Sequence, residues 1–144
     1  MFNFFKKNDS NLDDKKFVFD PELIGCALAY EVAVSDGEID DSELLKIKSE
    51  ILKKSEQLSL NPDEVFKTIE HHNQESVSFN DFINQINHNF LHEQKIQMIE
   101  FLWQTAYADN VLNVDEERLI RRIAGMIRIK DMKVLKLKDQ AKNI

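Results

Sequence analysis

Four carboxylates carry the most coherent chemistry in this chain. Asp36 and Glu43 lie seven residues apart, and Asp109 and Glu116 repeat that pair. Each pair sits in the same phrase. The first copy reads Ala33-Val34-Ser35-Asp36-Gly37-Glu38-Ile39-Asp40-Asp41-Ser42-Glu43. The second reads Ala106-Tyr107-Ala108-Asp109-Asn110-Val111-Leu112-Asn113-Val114-Asp115-Glu116. Ala33 and Ala106, Asp36 and Asp109, and Glu43 and Glu116 are each 73 residues apart. An oxygen-only donor set of this kind suits a hard cation such as Ca²⁺ or Mg²⁺. Asp36 and Asp109 also fall at the negative end of a preceding helix, an unfavourable place for a carboxylate. If the two turns meet in space, four like charges converge and call for a counter-ion. A second reading needs no ligand. Asp36 can accept backbone N–H groups across its own turn. Glu43 and Glu116, three residues after Asp40 and Asn113, can close capping boxes, each worth about 0.5–2 kcal/mol. Neither loop is an EF-hand, because Gly37 follows its Asp directly and the alternating acids are missing.

The other reactive side chains have weaker patterns. Glu31 is the one charged residue between Leu23 and Ser35, and its repeat counterpart is Gln104. It is expected on a narrow exposed strip of its helix. His88 and His92 have metal-ligand spacing only on one unbroken helix, and a break is expected at residues 89–91. Cys26, flanked by Gly25 and Ala27, reads as a small core residue. There is no phosphate-cradling glycine loop, no nucleophile elbow and no His-Glu-x-x-His helix. The expectation is a protein that is not an enzyme.

These residues must be positioned by helices. The chain has 144 residues, 42% of them hydrophobic and 31% charged, which fits a globular domain with a real core. Three glycines and two prolines argue against a turn-rich β fold. Asp20-Pro21 announces a first helix to about Ser35, apolar on nearly every side and so expected at the centre. Gly37 ends it. A second helix opens at Asp40 with a stripe of Leu44, Leu45, Ile47, Ile51 and Leu52. A third opens at Asn61-Pro62 and carries Val65, Phe66 and Ile69. A fourth opens at Ser78 with Phe79, Phe82, Ile83 and Ile86. A fifth runs from about His92 to Ala108, and a sixth opens at Asn113 with Leu119, Ile120, Ile123, Met126 and Ile127. A last helix covers about 131–141, with Met132, Leu135 and Ala141 on one side. Residues 1–18, with Phe2, Phe4 and Phe5 beside Lys6 and Lys7, read as a flexible lead-in, and 19–144 as one all-α domain of about seven helices in two hairpin-centred halves.

Charge is unevenly spread. Residues 118–144 hold nine Lys/Arg against Asp131 and Asp139, a local +7, so residues 1–117 carry −14 of the net −7. An acidic body steers partners electrostatically and disfavours nucleic acid; the basic end also suits the C-terminus of a last helix. No apolar run reaches transmembrane length. The single cysteine rules out an intrachain disulfide and fits a reducing compartment, so the expected location is the cytoplasm.

The doubled phrase, helix–Ala-x-x-Asp-Gly-x-hydrophobic-x-x-x-Glu–helix, resembles the TerB family, named for a tellurite-resistance protein and found also in DjlA-type co-chaperones. The resemblance covers roughly residues 20–141. It implies a compact all-α bundle built on the two hairpins and a non-enzymatic role in stress or tellurite resistance. It also implies a protein partner, including a membrane-associated complex with a peripheral place at the inner membrane. The family's acids, suggested to bind a divalent metal, correspond to Asp36, Glu43, Asp109 and Glu116. One departure is Asn110 in place of the second glycine; asparagine also tolerates the left-handed conformation.

Overall fold

The computed structural model describes residues 20–35, 37–74 and 79–142. The expected lead-in, residues 1–18, and Ser78 and Asp36 lie outside the described residues. Seven helices follow in chain order: α1 (Ile24–Ala33), α2 (Asp41–Leu58), α3 (Pro62–Gln74), α4 (Phe79–Asn89), α5 (His92–Ala106), α6 (Val114–Met126) and α7 (Asp131–Lys142). Among the described residues there is no strand.

The helix starts follow the capping residues. Asp20 accepts the Glu22 N–H at 2.8 Å, but residues 21–23 form a tight turn and the regular helix begins at Ile24. Asp40 accepts the Ser42 N–H, and Asn61 accepts those of Asp63 and Glu64. Asn113 accepts those of Asp115 and Glu116. Each satisfies donors that a helix leaves open at its first turn. The expected break separates α4 from α5 at Phe90 and Leu91, where the Gln94 side chain accepts the Leu91 N–H at 2.8 Å.

α1 is the central element, with Ile24, Cys26, Ala27, Leu28, Ala29, Val32 and Ala33 all buried. Its small residues let α5 approach closely, and Met98, Ile99, Leu102, Trp103 and Ala106 of α5 are buried too. α2 and α3 pack on α1, and α6 and α7 pack on α5. α1 also touches α6, and α5 touches α2, so the two halves exchange equivalent contacts. The repeat is therefore a three-helix unit used twice, α1–α2–α3 and α5–α6–α7, with α4 between.

Two stripes depart from the expected ones. On α2 the buried residues are Glu43, Ile47, Ile51 and Ser55, a row at intervals of four. Leu45 and Leu52 are off that row and lie 68% and 51% exposed. On α7, Val134 and Leu137 face the core and Met132 is 86% exposed. The α7 register is set from outside the helix: the Trp103 Nε1–H donates to the Val134 carbonyl at 3.1 Å.

Candidate functional site

The two repeated turns match hydrogen bond by hydrogen bond. In the first, the Val34 N–H donates to the Tyr30 carbonyl, Ser35 to Val32 and Gly37 to Val34. In the second, Tyr107 donates to Trp103, Ala108 to Thr105 and Asn110 to Tyr107. Gly37 has φ 98° and Asn110 has φ 68°, so the asparagine performs the glycine's left-handed step as expected. A Cβ on Gly37 would meet nothing within 4 Å. Gly37→Ala is therefore expected to cost only backbone strain, about 1 kcal/mol, read as a lowered denaturant midpoint with an unchanged slope.

Because the α1–α2 and α5–α6 hairpins pack together, their turns come together. They enclose a pocket of about 390 Å³ lined by Glu38, Asp40, Asp41 and Glu43 of the first copy and Asp109 and Glu116 of the second. Ile39, Val111 and Asn113 complete it, and among the described residues no cationic side chain lines it. Of the four expected acids, Glu43, Asp109 and Glu116 thus share one pocket. By sequence Asp40 reads only as a cap, and nothing marks Glu38 or Asp41 as pocket residues, although all three stand inside the first phrase.

Glu43 and Glu116 are only 5% and 3% exposed. Each heads a core-facing row, Glu43–Ile47–Ile51 on α2 and Glu116–Ile120–Ala124 on α6. The two carboxyls are placed to hydrogen-bond to each other. A hydrogen bond between two carboxyl groups needs a proton on one of them, so the titrations of the two are linked. Burial pushes the Glu43 carboxyl above the usual range, and the charges of Asp109 and Asp40 push it the same way. Hydrogen bonds with Glu116 and the Asp40 backbone partly offset this. Asp109 accepts the Val111 N–H at 3.0 Å, the turn-locking contact that the sequence suggests for its counterpart Asp36. Among the described residues, no three His, Cys, Asp or Glu side chains are gathered tightly enough to hold an ion as they stand.

A family model described as "Tellurite resistance protein TerB" matches residues 22–139. The chain belongs to the TerB family. The match spans six of the seven helices completely and nearly all of α7, so it takes in both hairpins and the pocket. Neither the curated proteins nor the solved structures hold a match to this chain. TerB is not known as an enzyme family, and among the described residues of this TerB domain no helix is long and apolar enough to cross a membrane.

The remaining candidates lie elsewhere. Glu31 is half-buried rather than exposed. Burial raises its carboxyl pKa, and a hydrogen bond with Asn73 of α3 counters that. His88 and His92 are exposed on different helices, and the His88 Nδ1–H donates to the Asn84 carbonyl. Burial pushes the Cys26 thiol up to about 12, which keeps it protonated and inert.

Proposed function

We propose that this TerB domain is a non-enzymatic interaction module whose turn–turn pocket binds a hard divalent cation, Ca²⁺ or Mg²⁺. The observation that carries the reading is the buried Glu43–Glu116 pair, one residue from each repeat, inside a pocket whose charged lining is all acidic among the described residues. An apolar residue at either position would continue its core row, so the carboxyls forgo hydrophobic burial for something else. A divalent ion would replace the proton of the pair, neutralise both buried charges and draw on Asp109 after a side-chain rotation. Asp36, the fourth acid of the duplicated phrase, is the counterpart of Asp109 in the sequence and belongs to the proposed ligand set on that ground alone. The ion would then hold the two hairpins in one arrangement and so prepare the surface around them for a protein partner. The family description supports a role in tellurite resistance or a related stress, and the acidic body supports a partner held by charge, in the cytoplasm or in a complex at the inner membrane.

Calorimetric titration of the full chain with Ca²⁺, Mg²⁺, Mn²⁺ and Zn²⁺ tests this. Binding is expected for the oxygen-seeking ions. At a free concentration a hundredfold above Kd it adds about 2.7 kcal/mol of stability. For a domain of this size that raises the melting temperature by roughly 5–10 °C. Glu43→Gln, Asp109→Asn and Glu116→Gln should each weaken binding while the domain stays folded. No heat and no melting shift at millimolar Ca²⁺ or Mg²⁺ would sink the reading.

A further inference from the structure

Beside the acidic pocket lies a groove of a different character, with a volume of about 790 Å³. We infer that this groove, floored by Leu45, Tyr107, Ala108 and Ala141 and rimmed by Lys46 and Lys142, docks an amphipathic acidic segment of a partner protein.

Leu45 explains why a partner is needed. It is 68% exposed at a position on α2 facing away from the Glu43–Ile47–Ile51 row. A leucine there gains nothing from the fold, yet it stands in the wall of a groove whose other walls come from α5 and α7. Exposed apolar surface inside a concave, polar-rimmed site is the pattern of a recognition groove. The charge of the rim selects the partner. The chain carries a net −7, but among the described residues the charged side chains lining this groove are the two lysines. Elsewhere in the basic C-terminal stretch, Arg121 pairs with Asp131 and Lys138 with Glu117. Neither Lys46 nor Lys142 forms an ion pair among the described residues, and both are exposed. A helix laid in the groove with leucines down and carboxylates flanking would cover Leu45 and meet both cations.

The groove and the acidic pocket share the same two turns. Ser42 lines the groove one residue from Asp41 of the pocket, and Asn110 lines it one residue from Asp109. The docking inference stands without the cation reading, because it rests on the groove alone.

The test uses the full chain, isotope-labelled, with two synthetic amphipathic peptides. Both carry the same leucine face; one has Glu flanks and the other Lys flanks. The Glu peptide is expected to bind, moving amide resonances around Leu45, Tyr107 and Ala141, with an affinity that falls as salt rises. Leu45→Asp, and separately Lys46→Glu with Lys142→Glu, should weaken it by about tenfold or more without altering the melt. Titration in chelator separates this from cation binding: docking persists there even if no metal is ever bound. Equal binding of the two peptides, shifts centred elsewhere, or unchanged affinity in Leu45→Asp would each overturn the inference. So would contacts from Phe2, Phe4 or Phe5 to Leu45 in the free protein, or groove shifts that depend on protein concentration. Those would assign the groove to the chain's own first residues or to a second copy.

Discussion

Trp103→Ala is expected to cost about 3–5 kcal/mol, a large part of the roughly 5–15 kcal/mol that holds a domain together. The side chain is fully buried in α5, and its Nε1–H donates to the Val134 carbonyl of α7. Truncation removes an indole from the core and leaves that carbonyl without its donor. The repeat gives the position a further meaning. Tyr30 is its counterpart in α1, and Tyr30 meets Phe66 of α3 edge to face, with centroids 5.8 Å apart. In each half, then, an aromatic one turn before the phrase pins the third helix of its unit. Trp103→Phe should retain much of the packing but lose the hydrogen bond, and so fall between the parent and the alanine variant. Amide exchange in α7 is the direct readout. If Trp103→Ala leaves α7 as protected as before, the pinning role is wrong. Because Ala141 and Lys142 of α7 wall the groove, the same variant should also lose the acidic peptide.

Much of this arrangement was legible in the sequence, and the parts that were not share a cause. The caps at Asp40, Asn61 and Asn113, the left-handed step at Gly37 and Asn110, and the burial of α1 all follow from local rules. Those rules concern a residue and its neighbours within one turn. Which way α2 and α7 face is decided by what they pack against, and there the reading was wrong. Leu45, Leu52 and Met132 are apolar at periodic spacing but are exposed. Glu43 and Glu116 are charged but are buried. A hydropathy stripe on α2 drawn through leucines misses a row that runs through a carboxylate. The convergence of the two turns was likewise invisible in one dimension, since it depends on the crossing of α1 and α5. The duplication itself was the one sequence signal that pointed to it, because equivalent hairpins packed about a common core bring equivalent turns together. Three of the five points where hydropathy failed are informative for that reason: Glu43 and Glu116 lie in the acidic pocket and Leu45 in the groove.

In the absence of divalent cations, Glu43→Gln and Glu116→Gln are expected to make the domain more stable at pH 8, by about 1 kcal/mol, even though each removes a side chain singled out as functional. The sign follows from the environment of Glu43. Its carboxyl titrates above the ordinary range in the folded protein, chiefly because it is buried and also because Asp109 and Asp40 stand near. Between the ordinary value of 4.5 and the raised one, the folded state holds more protons than the unfolded state. Stability therefore falls as pH rises through that window. The contribution is complete below the ordinary glutamate pKa and is lost above the raised one. Glutamine keeps the reach to the Asp40 backbone, because it serves a capping box as glutamate does, and it removes only the charge. Melts of the parent and both variants from pH 4 to 8 in chelator should therefore converge in acid and diverge at neutral pH, with the parent falling further. A parent that is the more stable form at pH 8 in chelator would mean that the carboxyl pair is a structural lock, and that the fold gains from it without any ion. Repeating the melts in millimolar Ca²⁺ or Mg²⁺ should reverse the order, since only the parent retains both carboxylates for the ion. Under the proposed cation reading, buried charges that cost stability in chelator would become an asset on binding, so the fold would report the ion through its stability, and the turns that line the pocket also border the groove.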